Sequence, residues 1–181
     1  MEFELSRLAA TDSLTGSPNR RYFNETANRE VERVRRFGAS ASVVMIDLDH
    51  FKSINDNYGH AVGDQVLREF ARACKECLRP TDVFARLGGE EFAVLLPGAD
   101  AAGSMKVAEL LRRTIAETTI DSGPAGINVT CSAGVAEILR SDLSIDETLR
   151  RADLALYAAK RGGRNRVMQF ADRLPGIAPR A

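Results

Sequence analysis

The chain carries no excess of charge of either sign: Lys and Arg number 25, Asp and Glu also number 25, and the formal net charge is zero. With an isoelectric point near 6.7, it lacks the basic field that holds a nucleic-acid polymer by its phosphates, and no such partner is expected. No apolar run approaches the roughly 18 residues that would suggest a membrane span, so no membrane contact by this segment is expected. Cysteines are few and odd in number, three in all, which argues against a disulfide scaffold and fits a reducing cytoplasm. The start, Met1-Glu2-Phe3-Glu4, is acidic rather than basic, so no secretory leader is expected. The two histidines, His50 and His60, lack partners at a recognisable metal spacing. What remains is a chain of 181 residues, 44% hydrophobic and 28% charged, with no internal repeat or low-complexity segment. That describes one globular domain large enough for a real core.

Hydrophobic spacing predicts the elements. Phe3, Leu5 and Leu8 read as the end of a helix entering the domain, and the turn-rich stretch from Asp12 to Asn19 breaks it. A helix follows from Asn19 to Phe37, with Phe23, Ala27, Val31 and Val34 on one face and Gly38 as its stop. Residues 42–48 are nearly all apolar and β-branched, a buried strand that ends in Asp47-Leu48-Asp49. A second helix spans His60 to Leu78, with Val62, Val66, Phe70, Ala73 and Cys77 inward and Pro80 beyond it. A hairpin turns at Gly88-Gly89, and Asp100 caps a helix to Thr118. A strand over 127–138 is expected to break at Gly134, and Ser144-Ile145-Asp146-Glu147 has the form of a capping box. The helix it opens buries Ile145, Leu149, Ala152, Leu156 and Ala159 and closes at Gly162-Gly163. Residues 166–170 form a final strand, and 172–181 a loose tail. Tyr157 and Phe84 are expected in or near the core. The order predicts a mixed α/β or α+β domain with a hairpin inside its sheet.

The chemistry concentrates at the hairpin. In Arg86-Leu87-Gly88-Gly89-Glu90-Glu91-Phe92, two glycines and two carboxylates lie between apolar runs. Glycine reaches φ > 0 at little steric cost and makes the turn. Adjacent glutamates repel, so the pair suggests that a cation sits over the turn, and the missing side chains leave room for phosphates against the backbone. Asp47 ends a buried strand, where an unpaired charge is expensive, and with Glu90 it would offer hard oxygen ligands suited to Mg²⁺. Asp49 reads more simply as a cap for a helix starting near Phe51. Asn55 and Asp64 bracket Gly59-His60 and Gly63; they are either turn and cap residues or readers of guanine's Watson–Crick edge. Lys160 and Arg164 flank Gly162-Gly163, either as ordinary cations at a helix C-terminus or as a clamp on phosphates. Cys74-Lys75-Glu76-Cys77 falls near a helix C-terminus, where the dipole disfavours thiolate, so packing is expected rather than redox chemistry.

Taken together these motifs resemble the GGDEF family of diguanylate cyclases over about residues 11–170. They occur in that family's order: Asp12-Ser13-Leu14-Thr15-Gly16 with Asn19-Arg20-Arg21; Asp47-Leu48-Asp49-His50-Phe51-Lys52 with Ile54-Asn55-Asp56; Gly59-His60 with Gly63-Asp64; the Gly88-Gly89-Glu90-Glu91-Phe92 turn; and Ala152-Asp153, Leu156-Tyr157, Ala159-Lys160 and Gly163-Arg164-Asn165. The resemblance implies an α+β fold, a central, mostly antiparallel sheet wrapped by helices, similar to the palm of nucleotidyl cyclases. It implies residues 1–11 as the end of a linker or signalling helix, 12–171 as the catalytic domain and 172–181 as a tail. It also implies condensation of two GTP into cyclic di-GMP plus two pyrophosphates by a catalytic homodimer, in the cytoplasm, as the output domain of a larger sensor.

Carried over position by position, Asp47, the Leu48 carbonyl and Glu90 would hold two Mg²⁺ per active site, with Mn²⁺ as a substitute. Asp47, Glu90 and Glu91 are the candidate catalytic residues, Glu91 as base or in support. Asn55 and Asp64 would read guanine; Phe51, Lys52, Gly88 and Gly89 would lie along the nucleotide; Lys160 and Arg164 would clamp phosphates. Arg79-Pro80-Thr81-Asp82, with five residues between Asp82 and Gly88, resembles the family's product-inhibition site, in which Arg bonds guanine's O6 and N7 and Asp takes its N–H groups. The alternative is a catalytically weak module that senses GTP or cyclic di-GMP; the intact turn speaks against it. One departure is Ser17, where the family usually has an apolar residue.

Overall fold

In a computed structural model, residues 10–121 and 126–171 are described. Helix α1 (Arg20–Phe37) begins at Asn19, whose side chain accepts the Tyr22 N–H, and stops at Gly38 in the left-handed region. Strand β1 (Ala41–Leu48) is buried along all eight residues. Helices α2 (Phe51–Tyr58) and α3 (His60–Glu76) follow, then the hairpin of β2 (Val83–Gly88) and β3 (Glu91–Pro97), helix α4 (Ala101–Glu117), the short strands β4 (Thr119–Ile120) and β5 (Ile127–Asn128), strand β6 (Cys131–Glu137), helix α5 (Ile145–Arg161) and strand β7 (Val167–Gln169).

The main sheet has the order β2-β3-β1-β6-β7. Every pairing is antiparallel except β6 with β7. β1 is therefore central, with helices on both faces, which explains its unbroken apolar run. Period-2 alternation divides its side chains between two cores. Val44, Ile46 and Leu48 join Phe70, Phe92 and Leu111, while Val43 and Met45 join Phe23, Val31, Leu95 and Leu156. Phe92 lies 4.8 Å from Phe70 and 5.3 Å from Phe84, centroid to centroid, at the hinge of the first core.

The α+β sheet wrapped by helices is as the sequence implied, with local corrections. The strand expected over 127–138 breaks between Asn128 and Cys131, because β5 leaves to pair with β4. Gly134 stays inside β6, opposite Met45 and Met168. It is glycine because α5 presses on it: a Cβ there would lie 2.1 Å from the Ala152 carbonyl oxygen and 2.2 Å from the Leu156 nitrogen. Ser144 is the N-cap of α5, but its hydroxyl makes no cap bond. Glu147 instead accepts the Leu143 N–H at 2.9 Å, and the Ile145 N–H goes to Asn28 Oδ1 at 2.9 Å.

Tyr157, expected near the core, is half exposed, while Phe84 is buried. Cys74 is buried and its thiol is pushed well above the usual range by that burial; Cys131 is likewise buried and pushed up to about 12. Both are packing residues. Most of the expected entering helix, and the tail over 172–181, lie outside the described residues. Thr11 bridges to Pro18, and Ala10 accepts the Asn19 N–H.

Candidate active site

The hairpin turn is built from backbone that only glycine adopts readily. Gly88 has φ 147° and Gly89 φ 51°. The register slips at Leu87, so that Arg86 faces Phe92 and Gly88 faces Glu91, a bulge that re-aims the strand end. No heavy atom lies within 4 Å of where a Cβ would stand on either glycine, so the space over the turn is open. Arg86 reinforces it from below. Its Nε and Nη2 donate to the Gly89 carbonyl at 2.9 and 2.8 Å, and its Nη1 to both Asp12 oxygens at 3.1 Å.

Antiparallel pairing sets Asp47 opposite Glu91 and brings the Leu48 N–H to the Glu90 carbonyl at 3.4 Å. Three carboxylates thus share one end of the sheet. Asp47 is 6% exposed. Burial raises its carboxyl; the hydrogen bond and charge of Lys160 oppose this, Glu90 and Glu91 add to it, and the net direction is upward. Helix α5 brings a cation to this end of the sheet: Lys160 Nζ donates to Asp47 Oδ2 at 2.7 Å. Arg164 follows in the left-handed region with Asn165 (φ 63° and 44°). Asn165 N–H donates to Asp49 Oδ2 at 2.9 Å, and Thr130 and Ser132 hydroxyls donate to Asp49 at 2.7 Å. Asp49 is thus not the cap for α2 that the sequence suggested; it ties the end of β1 to Thr130, to β6 and to the α5 exit. Non-glycine residues with positive φ are His50, Arg164 and Asn165 among the described residues. All three border this site, where such strain tends to gather.

Helix α2 starts at His50 without a side-chain cap. The Phe51 ring is buried, and its backbone N–H, with that of Lys52, is offered at the helix N-terminus, where anions are favoured. The turn-and-cap reading of Asn55 and Asp64 also fails. The N-cap of α3 is Gly59, without a side-chain bond, and Asp64 lies in the second turn of α3. Gly63 brings the helices close, since a Cβ there would fall 1.9 Å from Asn55 Oδ1. Among the described residues the Asn55 amide and the Asp64 carboxylate have no polar partner.

The family model described as "Diguanylate cyclase, GGDEF domain" matches residues 9–166. The chain belongs to the GGDEF-domain family of diguanylate cyclases. It is 42% identical over 159 residues to diguanylate cyclase DgcP of Pseudomonas aeruginosa, covering 88% of this chain and 24% of that protein. It is 40% identical over 175 residues to diguanylate cyclase A of Treponema denticola, covering 95% of this chain and 47% of that one. The chain thus spans half or less of these relatives. The structure of the coiled coil and GGDEF domain of DgcB from Caulobacter crescentus, in complex with c-di-GMP, superimposes with a TM-score of 0.87 at 34% identity, covering 93% of this chain and 89% of that one.

Mg²⁺ is ordinarily held by one or two carboxylates together with substrate phosphates rather than by an all-protein cage. The donor set fits such an ion: Asp47, with Glu90 and Glu91 beside it, is a hard carboxylate that already draws a cation in Lys160. Arg79 and Asp82 stand at the other end of β2. Asp82 Oδ2 accepts the Arg79 N–H at 3.0 Å, and both line a cleft of about 260 Å³ with Gly98, Asp100 and Gly103. The clamp of Arg86 between Asp12 and Gly89 went unassigned in the sequence; its signal was a lone charge in the apolar run of β2. The described residues include no helix long and apolar enough to cross a membrane.

Proposed function

We propose that this domain condenses two GTP into cyclic di-GMP with release of two pyrophosphates, acting as a face-to-face homodimer. The observation that carries the reading is the convergence of Asp47, Glu90, Glu91 and Lys160 around an open glycine turn. Guanine would lie between α2 and α3, its N–H groups taken by Asp64 and its remaining edge met by Asn55. Its phosphates would run along Gly88 and Gly89 toward the N–H groups of Phe51 and Lys52, with Lys160 and Arg164 on the terminal phosphates. Asp47, Glu90 and the Leu48 carbonyl would hold Mg²⁺, which when bound lowers the pKa of a hydroxyl and neutralises phosphate charge.

In each half-reaction the 3′-oxygen of one GTP bonds to the α-phosphorus of the other, and the bond from that phosphorus to pyrophosphate breaks. Glu91, across the ladder from Asp47, would take the hydroxyl proton. Lys160 leaves Asp47 and follows the phosphates, so one cation serves the carboxylate before binding and the triphosphate afterwards. Each domain reads one guanine and the product is two-fold symmetric, so the site is complete only when two domains face each other. Arg79 and Asp82 would hold returning product and restrain that closure.

The test is incubation with GTP and Mg²⁺ followed by product analysis. Cyclic di-GMP should form, at a rate per mole of protein that rises with protein concentration, and Glu90→Ala should lower it at least a hundredfold. GTP binding without product at high protein concentration would favour a sensor module instead.

A further inference from the structure

On the α1 side of the hairpin lies a cleft of about 540 Å³ whose walls include Arg20, Arg21, Asn24, Arg86 and Gly88. Apart from Gly88, none of the residues assigned above to GTP lines it. Its arginines are not equivalent. Arg86 is committed to Asp12 and Gly89. Arg20 uses only Nε, on the Leu87 carbonyl at 3.2 Å, and its two terminal nitrogens have no partner among the described residues. Arg21 has only Glu25 at 3.8 Å, with the two side chains 63% and 61% exposed, a pairing that contributes little. Asn24, in the same wall, keeps a buried Oδ1 without a donor. Two guanidinium groups with open donors, beside a turn that has no Cβ at Gly88, make a surface suited to phosphate.

We infer that this cleft receives the triphosphate of the GTP carried by the facing domain, so that Arg20 and Arg21 act in trans on a nucleotide their own domain does not hold. The inference rests on the cyclase reading above. The reacting oxygen and phosphorus must come within about 3–3.5 Å, so each turn lies against its partner's nucleotide, and whatever flanks the turn outside its own GTP site meets that nucleotide. Negative charge grows on the departing pyrophosphate as the α-phosphorus bond breaks, and donors already fixed there favour the transition state.

Arg21→Ala is the cleaner variant, because Arg21 supports nothing in the fold; Arg20→Ala is the second, and Arg21→Lys keeps the charge. Affinity for a fluorescent GTP analogue is measured on dilute protein, and turnover on concentrated protein. Both alanine variants should bind the analogue within about twofold of the unaltered chain and turn over at least tenfold more slowly, with partial rescue by lysine. A mixture of Arg21→Ala with the unaltered chain should accumulate the linear dinucleotide, since only one of its two bonds closes normally. Parallel loss of affinity and turnover would make the cleft part of the cis site, and unchanged turnover would remove it from the reaction; either overturns the trans role while leaving the cyclase reading intact. No product from the unaltered chain would overturn the cyclase reading, and the trans role with it.

Discussion

Ser17, read from the sequence as a departure from the family pattern, has a hydroxyl that the fold leaves unsatisfied. The residue is fully buried, and its Oγ has no hydrogen-bond partner. Its backbone, by contrast, is well used: the carbonyl accepts the Asp12 N–H at 2.7 Å, closing the loop that Arg86 ties to the turn. A buried hydroxyl without a partner costs on the order of 1–3 kcal/mol, and replacing it with an apolar group of similar shape recovers part of that. Ser17→Ala is therefore expected to raise the unfolding free energy by about 1 kcal/mol, measured by denaturant titration. A lower midpoint would mean that the hydroxyl does have a partner and that the departure is tolerated for another reason. Asp47 was legible at this scale because it ends an unbroken apolar run. Its partner was not: Lys160 lies 113 residues away in sequence, and no local pattern links the two.

Helix α5 holds most of what the sequence did not reveal. Its amphipathic stripe and its end at Gly162 were visible as spacing, but how close it lies to the sheet was not. That depends on Gly134, which a linear reading takes for a strand breaker and which is the seat of the helix. A second anchor is Asp142, which takes a bidentate pair from Arg151 at 2.8 and 2.5 Å and a hydroxyl hydrogen bond from Thr148 at 2.8 Å. Strand β4 escaped notice, and β5 was not told apart from β6, because two residues each leave no period to detect. The hairpin, in contrast, was plain, since glycines between apolar runs mark a turn by local chemistry alone. Gly134→Ala forces a methyl group against helix backbone that cannot yield like a side chain. The expected loss is about 1–3 kcal/mol, seen as a lower thermal midpoint. Because α5 carries Lys160, the displaced helix should also weaken GTP binding in the protein that remains folded. A lowered midpoint with unchanged GTP affinity would show that the position of Lys160 does not depend on this contact.

At the scale of the whole molecule, β2 connects two sites that cannot touch. Gly88 ends it at the turn, and Asp82 immediately precedes Val83 at its start. Six residues of strand span about 20 Å, so product held by Arg79 and Asp82 cannot block GTP by contact within one domain. If the proposed inhibition occurs, it acts on how two domains meet, and β2 is suited to this because it is an edge strand of the sheet. The Arg79 guanidinium has no partner among the described residues, while its backbone N–H is held by Asp82, so the side chain can be removed without unravelling the turn. Arg79→Ala should leave the initial rate of cyclic di-GMP synthesis within about twofold and raise the product concentration needed for half-inhibition at least tenfold, a loss of about 1.4 kcal/mol of product binding. Initial rates measured against added cyclic di-GMP test this directly. An unchanged inhibition curve would remove Arg79 from the regulatory site, and a fall in initial rate of the same size would place it in catalysis or dimer formation instead.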